Sequence, residues 1–298
     1  MDVYKLQKSD WGELPLNKES FESSTGKRNP WYTNNRSGNP ATFAVCPGCD
    51  NPILILGFLF KLANTDTPYA RHYQGNVEGL AEYRDWAYEN CPYSNPKEYD
   101  RKSKRPAADP LGDKILDILV PNFDRVVYLL EKDIGIRISS ALAEKMLEDY
   151  RDWNGHLYMG ATLQNIPWVF AYMTVSKSLA GRVVFNNSEL LAAIEEHQVQ
   201  GVVIDHKSHR IGWQEGKYLS LDVCFIHHRA RHRDHHLQET MVMQVTTGRP
   251  PHAREIYRQT IEFNRDHFKN LLNMSPERAK RPRRKELVEL AEKILGTR

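Results

Sequence analysis

Hydrophobic residues recur at helical spacing through the middle of the chain. Ile115, Leu116 and Leu119 share one side of a predicted helix, and apolar residues at the same spacing continue beyond Pro121. Because proline lacks an amide hydrogen, we expect this helix to be interrupted or kinked there. Three further helices are predicted: one capped by Ser139 or Ser140 that extends to Trp153, one from Pro167 to about Gly181, and one that follows the cap at Asn187.

After Gly181 the pattern changes towards strands. Val199 to Asp205 is a short apolar run, and apolar residues occupy alternate positions from Leu219 to Phe225, as in a strand with one buried face. A second alternating segment, Leu237 to Val245, supplies the return strand. The sequence therefore predicts a hairpin whose base packs in a sheet and whose tip projects into solvent.

The ends of the chain have different patterns. Residues 1–40 show neither helical nor strand periodicity, so we expect a loosely ordered lead-in. Val77 to Glu89 has helical spacing, and so have His252 to Asn273 and Glu286 to Leu295. Helices are therefore predicted on both sides of the hairpin.

Composition adds that the chain is of ordinary globular type. Of its 298 residues, 40% are hydrophobic and 27% are charged, which excludes a wholly disordered chain. The longest apolar run, Ile53 to Phe60, is about half the length needed to span a bilayer, so no transmembrane helix is predicted. Four cysteines, with no charged-then-apolar leader after Met1, predict a reducing, cytoplasmic location.

Three of the four cysteines lie close together in the sequence with one histidine. Cys46 and Cys49 form a Cys-Pro-Gly-Cys turn, and His72 and Cys91 follow. Such a turn directs two thiolates towards one point, and Zn2+ completes a tetrahedron with two more sulfur or imidazole ligands. We predict a structural zinc site of Cys3His type, in which His72 is the least certain ligand.

Two other interpretations of these cysteines remain open. Cys46 and Cys49 can form a redox pair, although such a motif usually begins a helix and here Asp50, Asn51 and Pro52 follow instead. Buried cysteines without a metal are the second alternative, because a free cysteine behaves as a small hydrophobic residue. The sequence pattern thus leaves three interpretations of these cysteines: a metal site, a redox pair and buried packing residues.

These patterns together predict the fold class and its division into segments. We expect an α+β protein with an N-terminal zinc-binding unit, central helices, and a C-terminal antiparallel hairpin or sheet with flanking helices. The predicted segments are the lead-in (1–40), the zinc-binding unit (41–105), a helical region (106–181), an α+β domain with the basic hairpin (182–273) and a basic tail and helix (274–298).

Positive charge is clustered although the net charge is only +3. The segment from Lys97 to Arg105 is predicted to be a flexible basic linker or a solvated loop. In the predicted hairpin, the strand positions that are apolar at the base are occupied by basic residues at the tip. A two-stranded basic ribbon of this kind fits the major groove of DNA. The predicted nucleic-acid contacts of the tip are His227, His228, Arg229, Arg231, His232 and Arg233.

Two alternatives apply to the tip. It can be a solvated hairpin without a ligand. If the segment is instead helical, His228, His232 and His236 recur every four residues and can hold a metal.

A second basic cluster precedes the last predicted helix. We expect it to act as a detachable cationic tail on a nucleic-acid backbone. Its predicted contacts are Lys280, Arg281, Arg283, Arg284 and Lys285.

The sequence offers one catalytic candidate. Asp205 and Lys207, after the apolar run at Val202, resemble the Asp-x-Lys half of the PD-(D/E)xK nuclease pattern, which implies a carboxylate that holds Mg2+ and a lysine at the scissile phosphate. The Pro-Asp partner of this pattern is not found upstream, although Glu189, Glu195 or Asp222 can contribute a carboxylate. A binding protein is therefore expected rather than an enzyme. We predict a zinc-stabilised protein that binds DNA or RNA within a larger nucleoprotein assembly of several protein subunits, with a metal-dependent nuclease or a protein-interaction scaffold as alternatives.

Overall fold

The computed structural model describes residues 1–217, 220–233, 236–249, 251–275 and 283–296. The chain forms two compact units. Unit 1 comprises Met1–Glu98, Thr162–Gln164 and Ala230–Gln238, and unit 2 comprises Tyr99–Ala161, Asn165–Arg229 and Glu239–Arg298. In the described ranges, no helix is both long enough and apolar enough to cross a membrane.

Unit 1 is built on a small antiparallel sheet. Its strands lie in the order β3-β4-β5-β6, with β3 at Tyr32–Asn34, β4 at Pro40–Val45, β5 at Pro52–Leu56 and β6 at Tyr69–His72. Phe43 on β4 packs with Ala41 and Val77 in a buried cluster. The short β-branched and aromatic runs of β4 and β5 suit strands that are largely buried.

The expectation of a loosely ordered lead-in is wrong. Strands β1 (Val3–Tyr4) and β2 (Leu14–Pro15) pair, and helix α1 (Lys18–Thr25) begins at the Asn17 cap. Tyr4 and Phe21 are buried and meet edge to face at 5.1 Å between ring centroids. Isolated aromatic residues without periodicity thus anchor this segment, which pattern analysis does not detect.

The helix expected from Val77 to Glu89 is much shorter in the structure. Helix α2 covers only Asp85–Glu89, because residues 77–81 form a tight turn in which Val77 and Ala81 are bridged. The apolar residues in this turn join the sheet core instead of one side of a helix.

The central helices of unit 2 agree with the sequence pattern. Helix α3 (Pro110–Leu119) and helix α4 (Phe123–Ile134) are separated at Pro121, and α5 (Ser140–Asp152) is capped by Ser139. Helix α6 is shorter than expected, at Ile166–Tyr172, and α7 (Ser188–Glu196) is capped by Asn187. Their apolar sides form a core that includes Phe123, Phe170 and Trp168.

Unit 2 also contains antiparallel strands. The order of the larger sheet is β12-β11-β10-β7, where β7 is Lys177–Ser178, β10 is Leu221–Arg233, β11 is His236–Thr247 and β12 is Arg254–Glu262. The last residues of β10 and the first of β11 belong to unit 1. A separate hairpin joins β8 (Val202–Asp205) to β9 (Arg210–Trp213).

The helix expected from His252 to Asn273 is wrong in its first half. That half is strand β12, which pairs with β11 from Thr240 to Thr247, and only Arg265–Asn273 is helical, as α8. Pairing with an already formed strand outweighs the helical spacing of its apolar residues. The final helix, α9, covers Lys285–Leu295 as expected.

Candidate metal centre and basic hairpin tip

The turn between β4 and β5 supplies two of the four candidate metal ligands. Cys46 directly follows the buried strand β4, its amide donates to the carbonyl of Asn51 at 2.8 Å, and its carbonyl accepts from the Asp50 amide at 3.1 Å. Asp50 adopts the left-handed conformation, with φ of 59°. Since aspartate tolerates this conformation better than most residues, it allows the turn to close between Cys49 and β5.

The other two ligands come from the ends of neighbouring elements. His72 is the last residue of β6 and lies opposite Ile53 of β5. Cys91 follows helix α2, which is held against the turn by Asn51: its side chain donates to the carbonyl of Arg84 at 2.9 Å and accepts from the amide of the same residue at 2.8 Å. Asn51 is a fully buried positioning residue that fixes the approach of α2.

The four ligand atoms converge on one point. All lie within 4.8 Å of one another. The Cys46 and Cys91 sulfurs are 3.6 Å apart, and the Cys49 sulfur lies 3.4 Å from Nε2 of His72. A tetrahedral ion with metal–sulfur bonds of about 2.3 Å and a metal–nitrogen bond of about 2.0 Å requires separations of about 3.8 Å and about 3.5 Å, and these two pairs of ligand atoms lie close to those values.

The surroundings leave little room for anything larger than an ion. A side chain at Gly48 would place its first carbon 3.2 Å from the Cys91 sulfur and 3.0 Å from the Tyr93 ring. All three cysteines are buried, and Tyr88 meets the His72 ring edge to face at 5.2 Å. Lys5, buried beside the turn, pairs with Asp50, and Arg84 donates to the Cys49 carbonyl at 3.0 Å.

Without a cation this group of thiols cannot all ionise. Burial raises the pKa of the Cys49 and Cys91 thiols, and the neighbouring sulfurs raise that of Cys49 further. A divalent ion reverses this preference because it binds the thiolates directly. The predicted ligand set Cys46, Cys49, His72 and Cys91 is therefore brought together as a site that can bind a metal.

The hairpin tip differs from the predicted ribbon at one residue. His227 adopts the left-handed conformation, with φ of 55°, inside strand β10. Alternate residues Leu221, Val223 and Phe225 are buried before it, as predicted, but after it the buried positions are His228 and Ala230. A local break in the strand therefore changes which side chains face inward.

This break removes one histidine from the predicted surface. His228 is 0% exposed and cannot meet a nucleic acid, which corrects the expectation. His227 and Arg229 are partly buried, and the exposed members of the predicted set are Arg231, His232 and Arg233. Because the segment is a strand, the alternative in which His228, His232 and His236 form one side of a helix is wrong.

The buried His228 belongs to a polar cluster that the sequence did not reveal. Its Nδ1 lies 3.0 Å from the Tyr158 hydroxyl, and its Nε2 lies 3.2 Å from a carboxylate oxygen of Glu239. Asn165 donates to the same oxygen at 2.9 Å, and Tyr99 and Phe263 stack on either side of the imidazole. These residues come from several segments that are distant in the sequence, so no local motif predicts the cluster.

The second predicted basic cluster is partly used inside unit 2. Lys280 and Arg281 lie outside the described residues. Arg283 donates from Nε and Nη2 to the Asp124 carboxylate at 2.6 and 2.7 Å, and Arg284 pairs with Glu286. Lys285 is exposed at the start of α9. Helix α9 buries Leu287 and Ala291, so the expectation of a detachable segment does not hold from Arg283 onwards.

The predicted basic linker is also well anchored. Arg105 is buried and donates to the carbonyls of Tyr158 and Ala161, and Arg101 donates to the carbonyl of Thr174 at 3.3 Å. These hydrogen bonds fix the segment to the carbonyl groups of unit 2, which charge alone does not predict.

Asp205 and Lys207 lie at the turn between β8 and β9. The Asp205 carboxylate accepts from the Lys207 amide at 2.9 Å and from the Ser208 hydroxyl at 2.6 Å, so it closes the β8–β9 turn. The Ser208 hydrogen bond lowers the pKa of this exposed carboxyl. Across the part of the chain that the structure describes, the Cys3His cluster is the one group of three or more His, Cys, Asp or Glu side chains placed to hold a metal.

No family model, curated protein or solved structure matches this chain. The function must therefore be inferred from its own residues.

Proposed function

We propose that the Cys3His cluster binds one Zn2+ ion with a structural role. The observation that carries this proposal is that four protein ligands, three of them buried, surround a single point. Structural zinc sites have four protein ligands, whereas catalytic sites keep a position open for water or substrate. Cysteine and histidine together favour zinc over the oxygen-binding cations Mg2+ and Ca2+.

Metal analysis of the purified chain tests this proposal. We expect one zinc per chain, and replacement by Co2+ should give the absorption of a tetrahedral thiolate site. Cys91→Ser should lose the metal, whereas Cys224→Ser should keep it, because Cys224 lies in β10 outside the cluster. A wild-type chain without zinc that also fails to take up Co2+ would refute the zinc site.

We further propose that the protein binds DNA or RNA through the hairpin tip, as a subunit of a nucleoprotein assembly in the cytoplasm. Arg231, His232 and Arg233 are consecutive and exposed at the end of a two-stranded ribbon, and this observation supports the proposal. Arginine pairs well with phosphates and guanine edges, and histidine donates hydrogen bonds or stacks. The free cysteines suit a reducing compartment.

Binding to labelled single- and double-stranded DNA and RNA over a range of salt concentrations tests the tip. The double variant Arg231→Gln, Arg233→Gln should weaken binding by about tenfold to a hundredfold and reduce the salt slope by about two. The matched control is Lys61→Gln, Arg151→Gln, which removes the same charge from two exposed positions. Equal affinities of both double variants would refute the role of the tip.

The same experiment separates the alternatives. If no nucleic acid binds but an acidic protein does, and the tip variant loses that partner, the tip serves a protein-interaction scaffold instead. Mg2+ in the reaction reveals nuclease activity as shorter fragments, and Asp205→Ala then tests the predicted carboxylate.

A further inference from the structure

The hairpin tip and the candidate metal centre belong to the same compact unit. Within unit 1, two of the four ligands, Cys91 and His72, are connected to the tip. Cys91 is connected to strand β10 and His72 to strand β11. The two connections start from different ligand residues and use different parts of the sequence. They are therefore independent connections between the ligand cluster and the tip.

The first connection runs from Cys91. Its carbonyl accepts from the amides of Ser94 and Asn95 at 3.0 and 2.8 Å, which folds the following segment into a tight turn. At the end of this segment the carbonyl of Lys97 accepts from the amide of Ala230 at 2.9 Å. The strand that carries Arg231 and Arg233 is therefore hydrogen bonded to the segment that Cys91 anchors.

The second connection runs from His72. Strand β6, which ends at this ligand, pairs with the start of the chain: the Met1 amino group donates to the Ala70 carbonyl, and the Ala70 amide donates to the Met1 carbonyl, both at 2.8 Å. The carboxylate of the next residue, Asp2, lies against Nδ1 of His236 on β11. The return strand of the tip is thus held by the strand that positions His72.

We infer that occupancy of the Cys3His centre holds the hairpin tip in place, so that loss of the metal releases it. Without an ion, the segments that carry Cys91 and His72 lose their metal-mediated link to Cys46 and Cys49 and keep the Asn51 hydrogen bonds and the pairing of β6 with β5. The regulatory consequence, which rests on the proposed function, is that nucleic-acid affinity depends on zinc. Chelation would weaken binding without any change in the basic residues.

Hydrogen exchange of the full chain tests the connection directly. On chelation, we expect peptides covering 228–233 and 236–241 to exchange about tenfold faster, while peptides of β12 and α5 keep their rates. Unchanged rates at the tip would overturn the inference. Faster exchange throughout both units would also overturn it, because a general loss of structure is not release of the tip.

A variant tests the reverse direction without altering a ligand. Coupling is reciprocal, so Asp2→Asn should lower zinc affinity by about twofold to fivefold, the range expected of one contact between polar surface side chains, in competition with a chelator. The matched control is Asp66→Asn, which breaks the exposed pair with Lys61 in the same unit. Equal zinc affinities of the two variants would contradict the His72 connection.

Binding measurements then separate this inference from the proposed function. If the tip loosens on chelation and affinity for labelled RNA or DNA falls about tenfold, both are supported. A loosened tip with unchanged affinity overturns the regulatory consequence. If neither form binds nucleic acid but exchange still responds to zinc, the connection stands and the proposed function fails.

Discussion

Gly48 leaves the space that allows Cys91 and Tyr93 to pack against the Cys-Pro-Gly-Cys turn. It lies between Cys46 and Cys49, where any side chain would come within 3.2 Å of the Cys91 sulfur and 3.0 Å of the Tyr93 ring. A contact of this length requires a neighbour to move. The glycine of the Cys-Pro-Gly-Cys sequence thus leaves space for the Cys91 side chain beside the turn.

We predict that Gly48→Ala weakens zinc binding by about tenfold, since displacement of the Cys91 sulfur by a few tenths of an ångström distorts the tetrahedron. Chelator competition measures the affinity. Gly212→Ala provides the control, because its added carbon would meet only a backbone oxygen at 3.4 Å. A Gly48→Ala protein with wild-type affinity would contradict the close packing of the turn against Cys91.

Glu239 illustrates a residue whose ionisation contributes to stability. Burial by itself raises the pKa of its carboxyl, but the hydrogen bond and charge of His228, with further help from Asn165, lower the pKa below the ordinary value of 4.5. A depressed pKa means that the contribution to stability is complete above pH 4.5 and is lost as the pH falls through the lower folded-state value.

We therefore predict that Glu239→Gln destabilises unit 2 by about 1–3 kcal/mol at neutral pH, because hydrogen bonds to a buried charge are replaced by weaker ones. The loss should shrink as the pH falls from about 4.5 towards the lower folded-state pKa, because the unfolded chain then binds a proton that the folded carboxylate does not. Urea unfolding at several pH values measures it. Glu148→Gln on the exposed side of α5 should have little effect, and an equal loss at both positions would refute a special role of Glu239.

At the scale of elements, strand β10 shows what periodicity can and cannot predict. Its alternation correctly assigned Leu221, Val223 and Phe225 to the buried side. A strict period of two then failed beyond His227, because one residue in the left-handed region exchanges the two sides of a strand. Histidine is compatible with this conformation but does not require it, so the sequence contained no clear signal of the bulge.

Replacements at position 227 test the bulge. His227→Asn should retain the fold, because asparagine readily adopts positive φ, whereas His227→Val should be less stable than His227→Asn by about 1–2 kcal/mol, since a branched side chain clashes in this conformation. Urea unfolding compares the two variants. A valine variant as stable as the asparagine variant would mean that position 227 is not held in the left-handed region.

Longer elements were predictable where one side of a helix is apolar and its cap is polar. Ser139 and Asn187 cap α5 and α7 as expected. The set of metal ligands could also be predicted from the sequence, because cysteine is rare and a Cys-x-x-Cys turn places its two thiols close together. Strand β12 and the ordered start of the chain could not be predicted from the local pattern. Strand β12 depends on pairing with β11, and the start of the chain depends on the aromatic contact between Tyr4 and Phe21.

At the scale of the whole molecule, the two units differ in what stabilises them. Unit 2 has a core of large buried side chains, among them Trp168, Phe123 and Phe170. Unit 1 also buries large side chains, among them Tyr4, Phe21 and Phe43, and it contains the cluster of four candidate metal ligands, three of which are buried. A metal that binds only the folded state of a unit adds its binding free energy to the stability of that unit.

Removal of the metal should therefore affect the units unequally. With a chelator present, we expect limited proteolysis to cut within Met1–Glu98 at denaturant concentrations where Tyr99–Ala161 remains protected, because the ion's binding free energy stabilises only the unit that binds it. Zinc in excess should restore protection. Acidification should mimic the chelator, since protons compete with the ion for the three thiolates. Simultaneous cleavage of both units, or protection of Met1–Glu98 that is indifferent to zinc, would show that the Cys3His cluster does not stabilise unit 1 through a bound ion.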